Sequence, residues 1–64
     1  MAVTLKAARV NKNLTQKEAA KIIGTTPDTL SNWERGKTFP DVPAIKKIEE
    51  AYGVTYNELI FLPQ

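Results

Sequence analysis

Helix start and stop signals recur along the chain and divide it into short segments joined by tight turns. Residues 15–18 read Thr-Gln-Lys-Glu, a capping box in which the threonine caps a helix and the glutamate reaches back to it. Thr26 before Pro27 is another start signal, because proline at the first helical position lacks an N–H that would have no partner there. Gly24 between them can adopt positive φ. These signals predict two helices joined by a short turn.

Similar signals bound the rest of the chain. They predict a first helix over about 4–11, a fourth helix between 41 and 53, and a short fifth helix opened by a second capping box at 55–58. The side chains predicted to face inward on the last two helices are Val42, Ile45, Ile48 and Tyr52, followed by Leu59 and Ile60. No stretch alternates with period two, so we expect no sheet. The prediction is an all-α, compact five-helix bundle, a single domain over 1–64.

The chain has no Cys and no His. Disulfides and the usual zinc site are therefore excluded, and we expect no metal and no other cofactor. A core this small rarely supplies more than about 3–5 kcal/mol of net stability, so helix packing and self-association remain as its sources. Neither an apolar run long enough to span a membrane nor a secretory signal is visible, so we expect a cytoplasmic protein without a membrane partner.

Charge is distributed unevenly: residues 1–40 carry a net charge of +4 and residues 41–64 a net charge of −2. A basic half and an acidic half suggest one face meant for a polyanion, although ordinary scatter of surface charge explains them equally well. The sequence offers no nucleophile with a base partner, no paired-carboxylate cleft and no glycine-rich phosphate loop. We therefore expect that the protein is not an enzyme.

The two predicted helices around Gly24 have the spacing of a helix-turn-helix, whose second helix fits the major groove of B-DNA. Leu30 and Trp33 lie three apart on this helix and are expected in the core. The opposite, polar side supplies the base-contact candidates Thr26, Asp28, Thr29 and Asn32. Asn can pair with adenine, Asp can accept from cytosine, and a Thr methyl can contact thymine. The same residue types are also ordinary solvent-facing residues of an amphipathic helix.

Residues 14–37 read LTQKEAAKIIGTTPDTLSNWERGK, and residues 53–55 and 57–59 read GVT and NEL. In combination, though not singly, these motifs closely resemble the Cro/cI-type helix-turn-helix family of phage repressors and bacterial regulators. The resemblance covers nearly the whole chain. It implies a lambda-repressor-like fold with a recognition helix over about 27–35. The implied function is sequence-specific binding of double-stranded DNA by a repressor-like or Cro-like transcription regulator, acting as a homodimer.

The resemblance also implies roles for individual residues. It pairs Arg9 with Glu34, an ion pair that ties helices together and does not bind DNA; whether the pair is buried stays open. It gives Gln16 a phosphate contact and support of the recognition helix, and it lets the loop after that helix follow the DNA backbone. The phosphate-contact candidates are Gln16, Lys17, Arg35, Lys37 and Thr38.

Two residues depart from the family pattern. Pro27 stands where relatives that read bases often carry a long polar residue, and Asp28 directs an anion towards a polyanion. Thr29 and Asn32 are then the main candidates for readout. The departures leave open a second hypothesis, an antirepressor, antitoxin or modulator that binds another regulator protein through the same fold. The apolar segment 60–63 could be its contact, a dimer interface, or a tail that packs back onto the core.

Overall fold

A computed structural model describes residues 2–61 of the chain. Its elements are the strand β1 (Val3–Thr4), the helices α1 (Leu5–Asn11), α2 (Gln16–Ile23), α3 (Pro27–Glu34) and α4 (Val42–Tyr52), a 3₁₀ turn (Tyr56–Glu58) and the strand β2 (Leu59–Ile60). The four predicted α-helices and the helix-turn-helix order are confirmed. None of the helices in the described part is long and apolar enough to cross a membrane.

Side-chain caps explain where the helices begin. The capping box predicted for α2 is confirmed: the Thr15 hydroxyl accepts from the Glu18 N–H at 3.1 Å, and the Glu18 carboxylate accepts from the Thr15 N–H at 2.9 Å. The hydrogen bond from the Thr15 N–H, with a smaller contribution from the Thr15 side chain, holds the pKa of the Glu18 carboxyl below its ordinary value. At the other end of α2, Gly24 adopts a left-handed φ of 89°.

The predictions of a fifth α-helix and of an absent sheet are wrong. Only the three-residue 3₁₀ turn follows the second capping box, and the backbone is then extended at Leu59. Leu59 pairs with Val3 and Ile60 with Thr4 in a parallel two-stranded ladder. This pairing joins backbone groups near the two ends of the described chain and brings Leu59 into the core.

The prediction that Ile60 faces inward is also wrong, because the backbone is extended at this residue. Successive side chains of a strand point to opposite faces, so Leu59 is buried and Ile60 is 44% exposed. Phe61 packs back, with its ring centroid 6.2 Å from that of Phe39 and 5.8 Å from that of Tyr56. Leu62 and Pro63, the rest of the predicted apolar tail, lie outside the described residues.

One core joins all four helices and β2. Its members are Leu5, Ala8, Ala19, Ala20, Ile23, Leu30, Trp33, Ile48, Tyr52 and Leu59. The core positions predicted for Leu30 and Trp33 are thus confirmed. Val42 was predicted to face inward but is 66% exposed, because it occupies the first position of α4, before the turns that bury Ile48 and Tyr52. Helix α2 packs against both α3 and α4, and this packing fixes the orientation of α3 relative to α2.

Candidate nucleic-acid interface

The α2–α3 corner gives α3 one buried side and one open side. Only residues 24–26 separate the two helices, and Leu30 anchors α3 in the core with no exposed surface. The four base-contact candidates lie on the remaining surface: Thr26 and Asp28 are exposed, and Thr29 and Asn32 are partly exposed. These side chains are therefore available to a partner while the helix itself is fixed.

The first turn of α3 is organised by two threonines. The Thr26 hydroxyl accepts from the Thr29 N–H at 3.2 Å and donates to the Thr29 hydroxyl at 2.9 Å. Thr26 is thereby committed to capping the helix. The Thr29 hydroxyl accepts this bond and keeps its own proton for donation outward. Thr29 is the better placed of the two to meet a hydrogen-bond acceptor.

Asn32 and Arg35 are joined across the last turn of α3. Arg35 Nη2 donates to Asn32 Oδ1 at 2.9 Å. Arg35 is the C-cap residue, so its side chain runs back along the helix by one turn to reach Asn32. Two residues that the sequence assigned to different roles, base contact and phosphate contact, therefore form one unit.

The loop after α3 is held against the end of the helix. Gly36 turns the chain at a φ of 78°, and the Lys37 N–H then donates to the Asn32 carbonyl at 2.9 Å. Lys37 and Thr38 project from this loop with exposed side chains. A cation and a hydroxyl thus lie beside the open side of α3, next to the Asn32–Arg35 unit.

A buried ion pair fixes the C-terminal end of α3. Arg9 Nε lies 2.7 Å from Glu34 Oε2, with the two side chains 10% and 4% exposed. A second guanidinium nitrogen of Arg9 donates to the Leu14 carbonyl at 2.8 Å. The pair is therefore buried, which the sequence alone did not determine. Loss of one partner would leave an uncompensated charge in the interior.

Gln16 connects this ion pair to the surface. Its Nε2 donates to Glu34 Oε1 at 3.0 Å, and its side chain is partly exposed at the start of α2. A carboxamide nitrogen carries two hydrogens, so one remains for an outside acceptor. Lys17, the next residue, is exposed. The first turn of α2 therefore offers an amide donor and a cation on the surface.

Tyr52 is a neighbour of the ion pair that sequence reasoning missed. Its position on the α4 stripe predicted burial, but no local signal gave its charged neighbours. Burial, with a smaller contribution from the negative charge of Glu34, raises the pKa of Tyr52 to about 12, and the positive charge of Arg9 partly opposes this rise. The buried hydroxyl has no hydrogen-bond partner among residues 2–61. Within the same residues, no group of acidic side chains is arranged to hold a metal ion.

The corner, its anchored second helix and the capped turn define a helix-turn-helix domain. A family profile described as Helix-turn-helix matches residues 5–59. The chain belongs to this family, in its Cro/cI-type branch.

Several known proteins are similar to this chain, and some of them are named as transcription regulators. The HTH-type transcriptional activator BcrR of Enterococcus faecalis is 36% identical over 56 residues, 88% of this chain and 28% of BcrR. Multiprotein-bridging factor 1a of Arabidopsis thaliana is 39% identical over 46 residues, 72% of this chain and 32% of that protein. The cryptic phage CTXphi transcriptional repressor RstR of Vibrio cholerae is 35% identical over 52 residues, 81% of this chain and 47% of RstR. The chain thus spans less than half of each relative.

Proposed function

We propose that this chain binds double-stranded DNA in a sequence-specific manner, as the DNA-binding domain of a transcription regulator, with α3 in the major groove. The observation that carries the proposal is the open side of α3, where hydrogen-bonding side chains adjoin the cations Arg35 and Lys37. Base readout needs such groups on a rigid helix, and Leu30 and Trp33 supply the rigidity from the other side.

The phosphate contacts of the proposal come from two places. At the start of α2, the free hydrogen of Gln16 Nε2 and the Lys17 ammonium face the phosphates of one DNA strand. The N–H groups at the N-terminus of the helix also favour a phosphate there. Beyond α3, Lys37 and Thr38 face the DNA backbone from the loop. Such contacts set the register of α3 in the groove and make the affinity depend on salt.

A homodimer on a two-part site is part of this proposal. An eight-residue helix is about 12 Å long and reads only a few base pairs, whereas dimers read two half-sites about 34–36 Å apart. Beside the loop after α3 lies an apolar surface formed by Phe39, Val42, Ile45 and Tyr56. Three of these side chains are more than half exposed, which is unusual for large apolar residues without a partner.

A second candidate function, binding of another regulator protein, is favoured by three observations. Pro27 and the exposed Asp28 open α3 without a cationic or amide donor, and the apolar surface could accept a protein. Three relatives carry the name multiprotein-bridging factor. Under this alternative, the chain would act through the same fold without binding DNA by itself.

The direction of regulation is proposed as repression, in line with the phage repressor among the relatives, although the relative BcrR is named an activator. A promoter carrying the selected site upstream of a reporter gene tests this. Repression lowers reporter output when the chain is expressed; an increase would contradict it.

Selection of random duplex DNA with the purified chain, at two salt concentrations, tests the main proposal. We expect enrichment of a two-part symmetric site and weaker binding at the higher salt. If no sequence is enriched at low salt while a protein co-purifies with the chain, the second candidate replaces the first.

A further inference from the structure

We infer that Arg35, held in place by Asn32, reads a guanine in the major groove and does not serve as a phosphate contact. The inference rests on the proposed function and names the base that the open side of α3 recognises. Its starting point is the hydrogen bond from Arg35 Nη2 to Asn32 Oδ1 at 2.9 Å.

This hydrogen bond changes what Asn32 can recognise. An asparagine that reads adenine accepts from adenine N6 with its oxygen and donates to N7 with its nitrogen. In this structure the Asn32 oxygen already accepts from a guanidinium, and charge-assisted hydrogen bonds are the stronger ones. The oxygen keeps a second lone pair, but an adenine amino group that used it would place its donor hydrogens beside the guanidinium donors, so Asn32 is poorly suited to the adenine contact that its residue type suggests.

Donors dominate the surface of the Asn32–Arg35 unit. Of the five guanidinium N–H groups one goes to Asn32, and the Asn32 amide adds two N–H donors of its own. Guanine shows two acceptors, O6 and N7, in the major groove. Adenine and cytosine both present an amino donor there, and thymine presents one acceptor beside a methyl group. A surface of several donors fits guanine best.

The direction of the Arg35 side chain supports a base contact. Helical side chains tilt towards the N-terminus of their helix, and it is the N-terminal part of a recognition helix that lies deepest in the groove. From the C-cap position, Arg35 runs back along α3 to Asn32. The hydrogen bond also restricts the planar guanidinium, which reduces the entropy lost on binding.

Asp28 completes the pattern at the other end of the same face. It lies four residues before Asn32, so the two side chains are neighbours along the helix surface. An exposed carboxylate accepts hydrogen bonds, and in the major groove cytosine N4 is a donor that suits it. An acceptor followed by a group of donors predicts a half-site with G·C pairs where α3 lies.

Four variants test the inference: Arg35→Lys, Arg35→Ala, Asn32→Ala and, as a matched control, Lys37→Ala. Each is titrated against the site that the wild-type chain selects and against sites in which one base pair at a time is changed. Arg35→Lys keeps the charge and loses the planar fork. We expect Arg35→Ala to lose about 5- to 150-fold discrimination at one G·C pair, and Arg35→Lys and Asn32→Ala each to lose part of it at the same pair.

The control separates base reading from phosphate contact. Lys37→Ala should weaken binding to every site alike. If Arg35→Lys keeps wild-type discrimination and Arg35→Ala weakens all sites equally, Arg35 is a phosphate contact and the inference is wrong. It is equally wrong if Asn32→Ala relaxes an A·T pair. A wild-type chain that selects no DNA is a different result, because it contradicts the proposed function itself. Circular dichroism checks that each variant is folded.

Discussion

Glu34 Oε2 accepts from Arg9 Nε at 2.7 Å, while the other oxygen of the same carboxylate accepts from Gln16 Nε2 at 3.0 Å. Arg9 belongs to α1, Gln16 to α2 and Glu34 to α3. One buried carboxylate therefore joins the three helices that position the open side of α3. The angle between α2 and α3, on which any docking to a groove depends, is fixed partly by charge and not by apolar packing alone.

The first prediction concerns stability. Glu34→Ala leaves the Arg9 guanidinium buried without its counter-charge, which typically costs about 3–5 kcal/mol. That equals the net stability expected of so small a core, so the variant should be largely unfolded at 25 °C. The double variant Arg9→Met/Glu34→Leu removes both charges and should retain much more stability. Urea unfolding followed by Trp33 fluorescence measures both, and a loss below about 1 kcal/mol in Glu34→Ala would refute the prediction.

The second prediction concerns alkaline pH. In the unfolded chain the Tyr52 phenol ionises near its ordinary value of 10.0, whereas burial raises its pKa in the folded chain to about 12. Between these values the folded state binds the extra proton. The stabilising contribution is therefore complete below pH 10 and is lost as pH rises towards 12.

Tyr52→Phe removes this titration, and its free energy of unfolding should fall less steeply than that of the wild type over the same pH range. The control Tyr56→Phe changes an exposed tyrosine and should follow the wild-type curve. Urea unfolding at several pH values from 9 to 12 gives the comparison. Parallel curves for the wild type and Tyr52→Phe would show that the Tyr52 phenol does not couple folding to pH.

The third prediction concerns salt. Lys37 is exposed on the loop that the Asn32 carbonyl holds against α3. If it neutralises a phosphate, Lys37→Ala weakens binding to all sequences alike and lowers the slope of log affinity against log salt by about 1. Lys46→Ala, which removes an exposed lysine of α4, should leave the slope unchanged. Fluorescence anisotropy at four salt concentrations measures both slopes, and equal slopes for wild type and Lys37→Ala would exclude a phosphate contact.

Local sequence signals predicted most of the helix boundaries because their causes lie within a few residues. The Thr15–Glu18 capping box, the left-handed Gly24 and the Thr26 cap each act over three or four positions. The β1–β2 pairing joins Val3 to Leu59, far apart in sequence, and two-residue strands are too short to show alternation. The charged neighbours of Tyr52, which are Arg9 and Glu34, are likewise distant in sequence, so no local signal predicts them.

At the candidate interface, residue types were predictable but their mutual contacts were not. Asn32 and Arg35 lie three positions apart, a spacing that places them on one side of a helix. That spacing does not tell which rotamer the arginine adopts, and only the structure shows the guanidinium on the Asn32 oxygen. The exposure of Val42 was missed for a related reason: a helical period identifies a stripe, but not how far along it the neighbouring helices reach.

The fourth prediction concerns the anion at the start of α3. Asp28 is exposed, and its repulsion from phosphates weakens the binding of the chain to any DNA. The exception is a site where Asp28 accepts a hydrogen bond from a cytosine amino group. Asp28→Asn should therefore bind random DNA more tightly than the wild type and discriminate less at one C·G pair, by about 1–3 kcal/mol. Competition titrations with specific and random duplexes measure both effects. Unchanged discrimination would exclude a base contact by Asp28.

The last prediction concerns the proposed dimer. Val42 is the most exposed large apolar side chain of the apolar surface, at 66%, so replacing it should not disturb the fold. If a second copy covers this surface, Val42→Glu introduces a desolvated charge at the contact and should abolish cooperative binding to two half-sites, while binding to one half-site persists. Val10→Glu, which changes an exposed apolar residue of α1, is the matched control and should remain cooperative. Analytical ultracentrifugation on two-site DNA distinguishes one bound copy from two. Cooperative binding by Val42→Glu would show that the copies meet elsewhere or not at all.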